Sequence, residues 1–153
     1  MSANRHGNWA EYRALALKLA SEAGSIAAAS FGVIEARRKR DGTLVTATDE
    51  QIDRSIAAAL HAAYPDHAIL SEEQATAYDP AIAFTWVVDP IDGTTNFARG
   101  VPLWGVSIAL LWHGDPVVGV LNFPLVNELY SAIKGSGAAW QRPAHHYSPG
   151  ARG

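Results

Sequence analysis

The spacing of apolar residues changes near residue 68, and that change limits the fold more than any other feature of the chain. Before it, apolar side chains recur at three- and four-residue steps; after it, they come in short runs rich in Val, Ile, Leu and Trp. Residues 8 to about 31 read as one amphipathic helix. Tyr12, Leu15, Leu19, Ala23 and Ile26 lie along a face and Gly32 follows the last turn. The stretch "TDEQIDRSIAAALHAAYP" reads as a second helix. Thr48 and Gln51 stand at capping-box spacing, Ile52, Ile56 and Leu60 share a face, and Pro65 bars continuation. Then "AILS", "FTWVVD", "LWGVSIALLW", "PVVGVLNF" and "ELYSAI" read as strands, with a hairpin at His113-Gly114-Asp115. Two helices followed by mainly antiparallel strands predict an α+β half-sandwich.

The chain has 153 residues, enough for one domain with a real core. Apolar residues make up 48% and charged residues 18%, the balance of a globular protein rather than a disordered one. A net charge of −3 argues against nucleic-acid binding by bulk electrostatics. There is no cysteine, so thiolate metal sites and cysteine nucleophiles are excluded. The N-terminus lacks the apolar core of a signal peptide, and the uncharged run from Gly100 to Gly114 is shorter than the ~18 residues of a spanning helix. The expectation is a cytoplasmic protein without a membrane partner. Residues 37–40, "RRKR", suit a solvated loop or helix end, or a phosphate-attracting patch. The last thirteen residues, "QRPAHHYSPGARG", contain no Val, Ile, Leu, Met or Phe, and a disordered tail is expected there.

The chemistry concentrates in "WVVDPIDGTTNF", residues 86–97. Asp89 stands where an apolar strand leaves the core, and Pro90 keeps it out of the helical region. A turn would then bring Asp92 back to the same side. Gly93 leaves the backbone open to an anion, and "TTNFAR" can start a short helix. Two neighbouring carboxylates repel unless a divalent cation lies between them, and oxygen ligands select a hard ion, Mg²⁺ before Ca²⁺ or Mn²⁺. The same wording also suits a plain β-turn. Two further segments are acidic: "LSEEQ" puts Glu72 and Glu73 after an apolar strand, and "LVTATDEQ" puts Asp49 beside a helix cap with Thr46 and Thr48. A solvated loop acid and a dipole-matched first-turn acid are the plain alternatives.

In this order, "LVTATD", "SEE", "DPIDGTTNF", "GVPLWGVSIALL" and "YSAIKGSGA" resemble the inositol monophosphatase family over roughly residues 10 to 140. The resemblance implies a layered α-β-α-β-α sandwich and Mg²⁺-dependent hydrolysis of a small phosphate monoester. The default substrate is inositol monophosphate; histidinol phosphate, fructose bisphosphate and adenosine phosphosulfates are the alternatives. Position by position, it implies metal ligands at Glu72, Asp89 and Asp92 with the main-chain carbonyl of Ile91. It implies phosphate-binding N–H groups at Gly93 and Thr94. Asp49 and the Thr94 hydroxyl would orient and help deprotonate the attacking water.

Two departures stand out. Ser71 occupies a position where the family often has glycine, and no tryptophan here precedes aspartate, whereas the family's second half carries a metal-ligating Trp-Asp motif. The expectation is an N-terminal half-fold over residues 1–140 with an aberrant tail at 141–153. Its open sheet face would favour self-association. The rival expectation is an inactive fragment that keeps a partial metal site or serves only as a docking partner.

Overall fold

The computed structural model describes residues 8–143 apart from Ile34 and Ala75. Expectations for residues 1–7 and 144–153, including His145-His146, lie outside the described residues. The first helix, α1 (Trp9–Ser30), is capped by the Asn8 side chain, which accepts from the Glu11 amide. Its buried stripe is built from small residues, Ala16, Ala20, Ala23, Gly24 and Ala27, with Leu19 among them. The predicted Tyr12, Leu15 and Ile26 sit only half-buried at the stripe's margin. Small side chains bring the helix backbone close to the sheet. A Cβ at Gly24 would lie 2.2 Å from the Asn122 amide nitrogen, which itself donates to the Ala20 carbonyl at 2.8 Å.

The basic run is not a helix end but divides between a strand and a turn. Arg37 and Arg38 belong to β1 (Ala36–Arg38), which pairs antiparallel with β2 (Leu44–Thr46) in a separate two-stranded ladder, while Lys39 and Arg40 lie in the turn between them. The turn between them is closed by Asp41, whose carboxylate accepts from the Thr43 amide and hydroxyl at 2.9 and 2.6 Å. Helix α2 (Ala47–Ala63) follows β2 directly and ends before Pro65 as predicted. Ile52, Ile56 and Leu60 are its buried apolar face. Its capping box differs from the predicted one: Thr46 is the N-cap and Asp49 the returning acid, rather than Thr48 and Gln51.

The main sheet has six strands in the order β3-β4-β5-β6-β7-β8: β3 (Ala68–Ser71), β4 (Phe84–Asp92), β5 (Gly105–Trp112), β6 (Asp115–Phe123), β7 (Glu128–Ile133) and β8 (Gly137–Gln141). All pairs are antiparallel except β3 with β4. The β5–β6 connection is a two-residue turn at His113 and Gly114, both at positive φ (49° and 85°), which matches the strand twist. Strand β8 was not foreseen. Gln141, counted with the tail, completes it, and the Arg142 guanidinium lies 5.5 Å from the Trp140 ring centre.

Helix α1 lies across β5, β6 and β7, while α2 lies on β3 and β4. Trp86, Val88, Val106, Ile108, Leu110, Val118 and Val120 point toward the helices and form the core. Alternation sends the other residues to the opposite face. Cross-strand pairing there sets Ser107, Leu121, Tyr130 and Trp140 in one row, and Leu121, Tyr130 and Trp140 are all exposed. This is the predicted α+β half-sandwich, one sheet covered on one side. Among the described residues, no helix is long and apolar enough to cross a membrane.

Candidate active site

Parallel pairing of β3 and β4 decides where the acids meet. Ser71 pairs with Val88, the last pair of the two strands, so Glu72 on one segment and Asp89 on the other follow that pair at the same edge. Strand β4 does not stop at Asp89, as the sequence reading had it; it runs on through Pro90 to Asp92. Asp89 pairs with Ser107 and Asp92 with Gly105, so three steps on β4 face two on β5. That one-residue bulge matters. In a regular strand, positions three apart face opposite sides; the extra residue brings both aspartates to one cleft without a turn.

Gly93 then takes φ +93°, and helix α3 (Thr94–Ala98) begins. A Cβ at Gly93 would stand 3.0 Å from the Leu103 carbonyl and 3.3 Å from the Trp104 Cβ, so the backbone and its neighbours demand glycine. Phe97 anchors α3 from below, fully buried and edge-on to Trp104 at 4.9 Å. Trp104 is itself buried in the core. The Asn96 side chain donates to the Leu103 carbonyl at 2.8 Å and fixes the other flank.

Glu72, Asp89, Ile91, Asp92, Gly93 and Thr94 all line one cleft of about 440 Å³. Asp49 joins them from α2. The Thr94 hydroxyl lies 2.9 Å from Asp49 Oδ1 and 3.0 Å from the Ile91 carbonyl, and has one proton to donate between them. The other Asp49 oxygen is saturated by the Thr46 amide at 2.9 Å and the Thr46 hydroxyl. Asp49 is fully buried, with one oxygen committed to the cap and one facing the cleft hydroxyl.

The Glu72-Glu73 pair divides. Glu73 is nearly buried and bonded to Lys39 at 2.8 Å, so it holds the β1–β2 hairpin against the end of β3. Burial raises the Glu73 carboxyl above its ordinary range although Lys39 pulls it down. Glu72 keeps its place on the cleft. The basic run divides too: Arg37 pairs with Glu50 at 2.5 Å, while Arg38 lines the cleft and, with Arg99 from the end of α3, forms its cationic rim. Sequence reading assigned no role to Lys39, Arg38 or Arg99, because the hairpin brings the first two to this edge and the end of α3 brings the third.

Asp89 is under the greatest electrostatic stress. Its Oδ1 is buried with no hydrogen-bond partner among the described residues. Burial, then Glu72 and Asp92, then Asp49 and Glu73, push its carboxyl up from 3.8 to about 7. An orphaned acid among acids is the environment that a cation relieves. The donors are all oxygen, which suits a hard ion. Among the described residues, no three His, Asp or Glu side chains stand close enough to cage an ion by themselves. That is compatible with Mg²⁺, which is held through one or two carboxylates together with water and phosphate oxygens.

A sheet covered on one side, with an acid-lined cleft where its parallel strands end, puts this chain among the layered α+β sandwich proteins. The family can be stated more closely. The profile of the inositol monophosphatase family matches residues 8–149, and the chain belongs to that family. A histidinol-phosphatase of Chlorobaculum parvum is 42% identical over 126 residues, which are 81% of this chain and 48% of that protein. The Nus factor SuhB of Escherichia coli (strain K12) is 35% identical over 127 residues, again 81% and 48%. Among solved structures, a Thermotoga maritima IMPase superposes with a TM-score of 0.79 at 29% identity, covering 89% of this chain and 52% of that one. The SuhB protein of Bartonella henselae gives 0.78 at 32% identity, covering 85% and 52%. The chain thus spans about half the length of the relatives it matches.

Proposed function

We propose that this chain carries the phosphate-handling half of a Mg²⁺-dependent phosphomonoesterase. The observation that carries the reading is the buried, unpartnered Asp89 oxygen among Glu72 and Asp92. Glu72, Asp89, Asp92 and the Ile91 carbonyl would supply the protein oxygens for Mg²⁺, one or two carboxylates to an ion, with water and phosphate oxygens completing its coordination. When bound, Mg²⁺ would supply Lewis-acid stabilisation of the phosphoryl oxygens and lower the pKa of a coordinated water.

The chain's own groups do the rest. The Gly93 and Thr94 amides, at the start of α3, would offer donors to a phosphate oxygen. When Thr94 donates to Asp49 Oδ1, its lone pairs are open to a water O–H. The pair then takes a proton from that water, Thr94 passing its own to Asp49. Because Asp49 is pinned through its second oxygen by Thr46, the acceptor stays aimed at Thr94. No covalent intermediate is required. Arg38 and Arg99 on the rim favour an anionic substrate.

A small phosphate monoester is the substrate class. Inositol monophosphate is the default from the family. The 42% identity to a protein named histidinol-phosphatase supports histidinol phosphate as a second candidate. The alternative to catalysis is a binding or docking role, for which the similarity to proteins named Nus factor SuhB is the supporting observation. The test is phosphate release from inositol 1-phosphate and histidinol phosphate, with and without Mg²⁺, for the chain and for Asp89→Asn. Mg²⁺-dependent release that Asp89→Asn abolishes is expected. No release from either substrate by the unmodified chain would favour the docking role.

A further inference from the structure

One buried acid has no part in the proposed chemistry. Asp53 is 1% exposed and lies one helical turn after Asp49 on the same face of α2. Both its oxygens are engaged, and both by one short turn. The Ser71 hydroxyl donates to Oδ1, and the Gln74 side-chain amide donates to Oδ2 at 2.8 Å. The Ser71 oxygen in turn accepts from the Glu73 amide at 3.2 Å. Glu72 and Glu73 are therefore bracketed by two residues fastened to a single carboxylate. Ser71 is itself buried, 5% exposed, and stands where glycine would offer no hydroxyl.

We infer that Asp53 is a positioning residue that clamps the Ser71–Gln74 turn and thereby fixes Glu72 at the cleft for the cation. This rests on the metal reading above. Helix α2 then serves as a two-point jig. Asp49 fastens the segment after β4 through Thr94, and Asp53 fastens the segment after β3 through Ser71 and Gln74. The spacing of four residues in a rigid helix sets the distance between the two acid-bearing segments. Lys39 adds a third point by holding Glu73 from the hairpin, leaving Glu72 as the turn's cleft-lining acid. Metal sites depend on such outer partners: their loss costs roughly 10- to 100-fold in affinity.

The test uses the full chain and the variants Asp53→Asn, Ser71→Ala and Gln74→Ala, the last two retaining the buried charge if Asp53→Asn fails to fold. Two quantities are read: Mg²⁺ affinity by titration calorimetry, and amide hydrogen exchange across residues 71–74 in the metal-free protein. Weaker Mg²⁺ binding by about tenfold is expected, with faster exchange at the Glu73 amide and unchanged protection within α2. Variants that melt earlier yet bind Mg²⁺ as the parent does would reduce Asp53 to a packing role and overturn the proposal. If the parent itself takes up no Mg²⁺, the metal reading fails. Exchange then decides the clamp alone: release of the Glu73 amide in Asp53→Asn upholds it, and unchanged exchange overturns it.

Discussion

At the scale of single residues, Asp89 is the most informative position. Its folded-state pKa, about 7, lies above the ordinary 3.8, so the folded chain binds a proton that the unfolded chain has already released. The sign follows: this residue's contribution to stability is present at low pH and is lost as pH rises from about 4 through about 7. Asp89→Asn removes that loss. In a chelator at pH 8, the variant is expected to melt above the parent. Added Mg²⁺ should raise the parent's Tm and leave the variant's unchanged. A lower melting point for the variant, with a parent indifferent to Mg²⁺, would contradict the assignment. The identity of this residue was legible from "DPIDG"; its isolation was not. Burial of one oxygen depends on β5 packing beside it, which no local pattern reveals.

At the scale of elements, strands β3 to β7 and both long helices followed from the apolar pattern, whereas β8, exposed along its length, left no such signal. What escaped the sequence was decided by partners distant along the chain. The parallel pairing of β3 with β4 and the bulge at Asp89–Asp92 were invisible, yet they bring Glu72, Asp89 and Asp92 together. The hairpin β1–β2 was hidden by its charges, since Arg37 and Lys39 reach Glu50 and Glu73 on other elements. The cap of α2 was misread by two residues although T-x-x-D was present at Thr46–Asp49. Thr46→Ala is expected to cost about 1–2 kcal/mol, measured as a lower urea midpoint at constant m. It should also slow any phosphate release, because Asp49 Oδ2 loses the hydroxyl donor and keeps only the amide of residue 46. A second test concerns the entry to β3. His67 stacks between Tyr64 and Phe84 and accepts from the Trp86 indole N–H at 3.1 Å, which requires a neutral ring. Burial lowers its pKa from 6.5, against the pull of Asp66. The unfolded chain therefore takes up the proton first, and this contribution is lost as pH falls below about 6.5. The trend is opposite to that of Asp89, so the comparison must be between the parent and His67→Phe. The parent should lose more Tm than the variant between pH 7 and 5; parallel curves would remove His67 as the cause.

At the scale of the whole molecule, the helices shield one side of the six-stranded sheet and leave Leu121, Tyr130 and Trp140 exposed in a row on the other. Contiguous apolar surface on a sheet favours association. The chain is expected to elute larger than a monomer in size-exclusion chromatography, and the double variant Leu121→Lys, Tyr130→Lys to elute as one. A monomeric parent would show that this face tolerates water. Among the described residues the two sheets share no ladder, and that separation has a practical outcome. Besides the buried Val45, the hairpin is fastened by Arg37–Glu50 at the surface and Lys39–Glu73 beneath. Added electrolyte screens the first pair and barely reaches the second. Concentrated salt should thus loosen the outer margin of the cleft's wall while its root stays pinned, making the width of the entrance a function of ionic strength.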